Sequence, residues 1–184
     1  LGGWGVSAWL DRPLDPPAGI LAPDAPLQGP PGEGGAWRFK DYRLVSLATF
    51  ELRARILAKE RYRWDPSAEL SPIDFALGWG PMSDSSVLDR IDISQSNRWY
   101  HWRVSTLPIP MDQISAHSAN MHMIPANARV KRALLGFREG QVVRLRGHLV
   151  QIEGPDGFRW TSSLSRQDTG DGSCEVIWVE EAGL

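Results

Sequence analysis

Residues 141–164 read Gln141-Val-Val-Arg-Leu-Arg-Gly-His-Leu-Val-Gln-Ile-Glu-Gly-Pro-Asp-Gly-Phe-Arg-Trp-Thr-Ser-Ser-Leu164, a pattern that predicts a long, bent β-hairpin. From Val143 to Leu149 apolar residues alternate with charged ones, and a period of two is typical of a half-buried strand. After Leu149 the apolar phase shifts, because Val150 is the next apolar residue. A phase shift close to Gly147 indicates a bulge or a sharp bend. Pro155–Gly157 supplies the turn.

The composition is that of an ordinary globular protein with a slight acidic excess. The chain has 184 residues, of which 42% are hydrophobic and 23% are charged, and its formal net charge is −2. This length favours one well-buried domain. Because binding to nucleic-acid phosphates requires an excess of Lys and Arg, the charge balance argues against a dedicated nucleic-acid surface.

A single cysteine, Cys174, rules out an intrachain disulfide and weakly favours a reducing compartment such as the cytoplasm. No apolar run reaches the roughly 18 residues that a membrane-spanning helix needs. Because the sequence begins at Leu1 rather than Met, we expect that an upstream tag, signal peptide or membrane anchor has been removed.

Residues 1–36 are predicted to be an extension or linker, and residues 37–184 a single globular domain. The first segment alternates Pro with Gly and Ala, which discourages both helix and sheet. Trp4 and Trp9 are exceptions in it, and they indicate either a short docked segment or the end of an interfacial anchor.

The rest of the chain predicts mostly strands. Residues 49–59 alternate well and predict a long strand, residues 91–104 are extended, and residues 174–180 form a last strand covered on both faces. Ser71 before Pro72 predicts a helix over residues 70–78. Asn127 is the predicted N-cap of an amphipathic helix over residues 128–135. We therefore predict a mainly β fold, a small bent OB-like barrel with short helical insertions, with an α+β sandwich as the alternative.

The polar run His117-Ser-Ala-Asn-Met-His122 has catalytic, metal-binding and structural interpretations. In the catalytic one, Asn120 orients His122, and the nucleophile is Ser162, Ser163 or Ser165, with His117 as a further candidate. In the structural one, Asn and His side chains bond irregular backbone.

A zinc site in the same run lacks a defined ligand set. Zinc needs three or four ligands, and the third after the two histidines would be His101, His148 or Asp84. No strong metal motif selects among them, so we predict no metal and no cofactor. Cys174 is a poor nucleophile on this sequence, because the adjacent Glu175 is expected to raise its pKa.

A second cluster combines aromatic residues with arginine and has two interpretations, a binding surface or a core strand beside a surface of paired charges. Its members are Arg98, Trp99, Tyr100, Trp102 and Trp160. Such residues stack on bases, sugars or peptide groups. With Arg144, Arg146 and Arg159 they would form a face for single-stranded nucleic acid, although the acidic balance of the chain argues against this function.

Several runs resemble segments of a family of bacterial envelope proteins without assigned activity. They are Leu77-Gly-Trp-Gly-Pro-Met-Ser-Asp84, Ile93-Ser-Gln-Ser-Asn-Arg-Trp-Tyr-His-Trp102, His117-Ser-Ala-Asn-Met-His-Met-Ile-Pro-Ala126 and Trp160-Thr-Ser-Ser-Leu-Ser-Arg-Gln-Asp-Thr-Gly-Asp-Gly-Ser-Cys-Glu-Val176. The resemblance covers about residues 37–181. It implies an N-terminal membrane anchor, absent from this chain, then a Pro-rich spacer and one periplasmic domain tethered to the inner membrane. It assigns no catalytic residue.

Together these patterns predict a non-enzymatic binding module that holds a protein, peptide or glycan partner at the bacterial cell envelope. The first alternative is a hydrolase that uses His122, Asn120 and a serine from residues 162–165. The second alternative is an OB-like domain that binds single-stranded nucleic acid.

Overall fold

The computed structural model describes residues 12–32, 35–64, 66–165 and 174–184. Over these described residues the fold is mainly β, with 46% strand and 16% helix, which confirms the predicted class. Trp4 and Trp9 lie outside the described residues. Among the residues that are described, no helix combines the length and the apolar character needed to cross a membrane.

Ten strands and a few short helices make up the described part of the chain. The strands are β1 (Leu27–Gly29), β2 (Ala36–Phe39), β3 (Tyr42–Arg61), β4 (Ile73–Gly78), β5 (Asp92–Ser96), β6 (Trp99–Arg103), β7 (Ser118–Pro125), β8 (Val142–Glu153), β9 (Arg159–Thr161) and β10 (Glu175–Gly183). The helices are α1 (Ser85–Leu88), α2 (Met111–Ala116) and α3 (Ala128–Gly136), with 3-10 turns η1 (Gly80–Ser83) and η2 (Pro155–Gly157).

Five of these strands pair in a ring, which makes the bent sheet a small barrel. β3 pairs with β4, β4 with β7, β7 with β10, β10 with β8, and β8 returns to β3. Only the β7–β10 pair in this ring is parallel, and α3 lies between β7 and β8 in the sequence. This is the strand order of an OB-type barrel, as predicted from the bent strands and the helix before β8.

The barrel interior is apolar, because alternate residues of each strand point inward. It includes Phe50 and Leu52 of β3, Phe75 and Leu77 of β4, Met121 and Met123 of β7, Leu145 and Leu149 of β8, and Ile177 and Val179 of β10. Val130 and Leu134 of α3 pack against the same interior. Asn127 caps α3 as predicted, since its side chain accepts hydrogen bonds from the backbone N–H groups of Arg129 and Val130.

A second apolar layer covers part of the outside of the barrel and explains the change of apolar phase in β8. Leu149 lies in the barrel interior, whereas Val150 belongs to an outer cluster with Trp178. The side chains of β8 therefore still alternate between its two faces. What changes after Leu149 is which face carries the apolar residues, because the outer face is now covered as well. The register shift near this point lies in the partner strand β3, between Ser46 and Ala48.

Residues 70–78 correct a prediction. The Ser71-Pro72 sequence predicted a helix, but Ile73–Gly78 is strand β4, buried along its whole length. A strand covered on both faces shows no alternation, and its apolar run resembles a buried helix. The predicted extended segment 91–104 is confirmed as the hairpin β5–β6.

The described part of the predicted extension, residues 12–32, lies against the barrel. β1 pairs with β3, and Ala22 is fully buried. The Ser83 hydroxyl accepts hydrogen bonds from the backbone N–H groups of Leu21 and Ala22. These bonds give polar partners to a segment that has little regular structure of its own.

Candidate functional site

The site is built on the outer face of β4 and β7, where three polar side chains replace apolar ones. Asp74 pairs in register with His122, and Ala76 pairs with Asn120. Since neighbours along a strand point to opposite faces, Asp74, Asn120 and His122 share the face opposite the barrel interior. All three are buried, because other segments cover this part of the barrel.

His122 and Asp74 form a close pair. Nδ1 of His122 lies 2.8 Å from Oδ2 of Asp74, and the two side chains are 4% and 0% exposed. Neither atom has another hydrogen-bond partner among the described residues, so each is the polar partner of the other. An Nδ1–H held by a carboxylate leaves Nε2 of the neutral ring as an acceptor.

Arg98 closes the network from the turn of the β5–β6 hairpin. Its Nη1 lies 2.8 Å from Oδ1 of Asp74, and its Nη2 donates to the Ser71 carbonyl over 3.0 Å. The guanidinium carbon lies 3.7 Å from the centre of the Tyr62 ring, in a cation–π contact. Arg98 has φ 69°, so the turn that presents it uses a left-handed backbone conformation.

Tyr62 receives a second contact from the same residue. Its hydroxyl accepts a hydrogen bond of 2.8 Å from the Arg98 backbone N–H. Burial, with the Asp74 carboxylate nearby, raises the pKa of Tyr62 to about 12. The phenol is therefore neutral over the physiological range and serves as a platform for the guanidinium.

Asn120 connects the hairpin to Cys174. Its Oδ1 accepts from Nε2 of Gln95 over 2.5 Å, and its Nδ2 donates to the Arg98 carbonyl over 3.0 Å. The same Nδ2 lies 3.7 Å from Sγ of Cys174. Because Oδ1 faces a donor and Nδ2 faces acceptors, the orientation of the amide is fixed.

A pocket of about 460 Å³ opens on this network. The segment around β9, the hairpin β5–β6 and the loop that joins β3 to β4 all contribute to its wall. Its lining includes Arg98, Trp99, His122, Phe158, Trp160 and Cys174. The Trp160 ring centre lies 4.7 Å from that of His122 and 5.7 Å from the Arg98 guanidinium carbon. The pocket therefore combines aromatic walls with a polar floor.

The five predicted binding residues separate into two groups. Arg98, Trp99 and Trp160 line the pocket together. Tyr100 donates a hydrogen bond to the Ser118 hydroxyl over 3.2 Å, and Trp102 packs against a small apolar cluster around Met82 and Ile114. These last two residues attach the hairpin to the barrel and do not line the pocket.

The predicted catalytic residues also separate. His122 and Asn120 belong to the site, whereas Nδ1 of His117 lies 2.8 Å from the Gln113 carbonyl at the end of α2. The Ser163 hydroxyl bonds the carbonyl of Ser165. No described serine hydroxyl has a hydrogen bond to His122.

The histidines considered for a metal site do not converge. In the part of the chain that the structure covers, no group of three or more His, Cys, Asp or Glu side chains is arranged to hold a metal ion. His101 is exposed on β6. Nδ1 of His148 on β8 lies 3.0 Å from the Ser46 hydroxyl.

The arginines of the nucleic-acid alternative each have an acidic partner. Arg144 pairs with Glu51, Arg146 with Glu181, and Arg159 with Glu153. Arg159 lines the pocket, while Arg144 and Arg146 lie on β8 and contribute to a separate surface. The pairing reduces the positive potential that would attract phosphates.

Two central residues of the site, Asp74 and Tyr62, were not predicted. Asp74 is the one charged residue in the apolar run of β4, and a charge inside a buried strand is a signal of a paired or functional group. Tyr62 carries no such signal, since an aromatic residue in a loop is common.

No protein-family model, no curated protein and no solved structure matches the sequence. The resemblance to envelope proteins therefore stays a prediction.

Proposed function

We propose that the protein is a binding module whose pocket holds part of a protein, peptide or glycan partner. The observation that carries this proposal is the pocket of about 460 Å³ between Trp99, Phe158 and Trp160, with Arg98 and His122 at its floor. Aromatic faces with a few fixed polar groups are typical of sites that bind sugar rings and peptide side chains.

The position of the pocket supports the same proposal by analogy with the fold. OB barrels bind ligands on the outer face of their second and third strands, between the loops that follow strands one and four. In this barrel those strands are β4 and β7, and the loops are residues 62–72 and the segment that contains β9.

Exposed tryptophans close to the site are a further support. Trp99 is 37% exposed at the pocket, and Trp64 is 94% exposed in the loop that also contributes Tyr62. A water-exposed indole costs free energy, and such residues are enriched where a partner covers them. The paired arginines and the net charge of −2 favour a protein, peptide or glycan over a nucleic acid.

The test measures how wild type and matched variants bind to one glycan array and one peptide array. Wild type is compared with Trp99→Ala and Trp160→Ala, which remove a pocket wall, and with Met111→Ala, which removes an exposed apolar side chain outside the pocket. A probe that binds wild type and Met111→Ala, and is lost in both tryptophan variants, supports the proposal. Binding that persists without the tryptophans, or no binding to either array, contradicts it.

We also propose a periplasmic location with an N-terminal tether, for which the resemblance described above is the support. Alkaline phosphatase fused to the C-terminus of the full-length protein would be active in the periplasm. An inactive fusion, with the protein recovered in the cytoplasmic fraction, would contradict this location.

A further inference from the structure

We propose that Cys174 is an activated nucleophile, with His122 as its base and Asp74 and Asn120 as positioning residues, and that it accepts acyl groups from esters or amides in the pocket. This goes beyond ligand binding and does not depend on it. A small acyl reagent tests it without any bound partner.

The first support is the placement of the thiol and the imidazole on one face. β10 runs parallel to β7 with Val176 beside His122, so the same register brings Cys174 next to Asn120. Side chains offset by two residues on adjacent strands have Cα atoms roughly 7–8 Å apart, within reach of an imidazole. Cys174 and His122 both line the pocket.

The second support is the state of the imidazole. His122 is 3% exposed, and its Nδ1 lies in contact with the Asp74 carboxylate. Its Nε2 has no hydrogen-bond partner among the described residues. The accessible edge of the ring is therefore the one that lines the pocket. A nucleophile, a base and a carboxylate behind the base are the parts of a catalytic triad.

The third support is the environment of the sulfur. The Asn120 amide, whose orientation Gln95 fixes, directs its N–H group toward Sγ over 3.7 Å. Hydrogen-bond donors and nearby cations favour the thiolate, and reactive cysteines are partly exposed. Cys174 is partly exposed, and its carbonyl accepts a hydrogen bond from the Ser163 backbone N–H, which anchors the residue.

The charged groups around the site determine its pH response. Asp74 on β4 and Arg98 on the hairpin offset each other, and Arg159 on β9 lines the same pocket. Glu175, expected from the sequence to raise the pKa of the thiol, is the first residue of β10 and shares the interior face of Ile177, whereas Cys174 lines the pocket on the outer face.

The proposed step is a nucleophilic acyl substitution. The thiol proton moves to Nε2 of His122, and the thiolate attacks the carbonyl carbon of an ester or amide. The bond to the alcohol or amine breaks, and the leaving group takes the proton from His122, so that a thioester remains on Cys174. Water, deprotonated by His122, then releases the carboxylic acid and restores the thiol.

The deciding experiment uses the single cysteine. The rate of iodoacetamide alkylation is measured against pH for folded and urea-unfolded wild type. We expect the pH midpoint of the alkylation rate to be about one unit lower in the folded protein than in the unfolded protein. At pH 7 the folded protein should react about tenfold faster. His122→Gln should abolish this difference, whereas His148→Gln, which changes a histidine outside this pocket, should keep it. Equal midpoints in folded and unfolded wild type would overturn the proposal without any variant.

Acylation is tested separately by intact mass after treatment with p-nitrophenyl acetate. One acetyl group on wild type, and none on Cys174→Ser or on folded His122→Gln, is the expected result. No acetyl group on wild type would overturn the acyl chemistry, and a lowered midpoint kept in His122→Gln would overturn the role of the histidine. Neither result bears on the array experiment, so the two proposals fail independently.

Discussion

Nδ1 of His122 lies 2.8 Å from Oδ2 of Asp74, at paired positions of two adjacent strands. The other oxygen of this carboxylate contacts Arg98, whose side chain is 13% exposed. One buried carboxylate thus fixes an imidazole and a guanidinium that come from different segments of the chain. The pair therefore joins the barrel to the hairpin that forms one wall of the pocket.

Asp74→Ala should lower the free energy of unfolding by about 3–5 kcal/mol, because it removes the buried carboxylate that lies 2.8 Å from both the Arg98 guanidinium and the His122 imidazole. Urea unfolding followed by tryptophan fluorescence measures this change. Glu153→Gln is the matched control, since Glu153 pairs with exposed arginines and should show little change. Similar urea midpoints for both variants would show that the Asp74 network contributes nothing to stability.

The barrel could be predicted because two of its strands have one solvated face. Residues 49–56 and 143–149 alternate clearly, and they lie in β3 and β8, the longest pair in the ring. The helix α3 was equally predictable, since the Asn127 cap and the apolar spacing agree. In these segments local propensity and tertiary packing favour the same structure.

β4 could not be predicted because both of its faces are covered. With every residue from Ile73 to Gly78 buried, the period of two disappears, and a cap-like Ser71-Pro72 favoured a helix. The change of phase in β8 was interpreted as a bulge or a sharp bend for a related reason, and the register shifts lie in its partner strands β3 and β10. A sequence does not show which outer face a distant segment will cover.

The site was predicted only in pieces. His122 and Asn120 were in one cluster, Arg98, Trp99 and Trp160 in another, and Cys174 was set aside because of Glu175. The pairing of β4 with β7 and of β7 with β10 brings Asp74, His122 and Cys174 together, and the contacts of Arg98 with Asp74 and Asn120 add the hairpin. These pairings join residues far apart in sequence, so spacing along the chain carried no information about them.

Trp102→Ala should destabilise the protein by about 2 kcal/mol or more, because the side chain packs against the cluster around Met82 and Ile114. Trp99→Ala removes a partly exposed ring at the pocket and should cost less than about 1 kcal/mol. Thermal and urea unfolding of both variants provide the comparison. If Trp102→Ala is as stable as Trp99→Ala, the hairpin is not attached through Trp102.

Gly147→Ala should disturb the closure of the barrel, because an added Cβ would lie 1.8 Å from the Trp178 carbonyl oxygen on β10. The backbone has to move to relieve this clash, so we expect a loss of about 2 kcal/mol or more. Gly183→Ala is the control on the same strand pair, since an added Cβ there meets no atom within 4 Å. Equal stability of the two variants in urea would show that β10 can shift without cost.

Tyr100→Phe should make the protein less sensitive to alkaline pH. Burial raises the pKa of Tyr100 to about 12, although its hydrogen bond to Ser118 acts in the opposite direction. Below about pH 10 the phenol keeps its proton in both states, and the full stability is present. Between about pH 10 and 12 only the unfolded chain ionises, so the free energy of unfolding falls as the pH rises, by about 2–3 kcal/mol for this group.

Between about pH 10 and 12, Tyr100→Phe should therefore lose about 2–3 kcal/mol less free energy of unfolding than wild type. Urea unfolding at several pH values measures this difference. Tyr62→Phe is the comparison: the pKa of Tyr62 is also raised to about 12, but its ring is less buried, so solvent screening makes the expected difference smaller. An absorbance titration of the phenolates gives an independent reading. If wild type and Tyr100→Phe lose the same free energy of unfolding at alkaline pH, Tyr100 ionises as readily in the folded protein as in the unfolded chain.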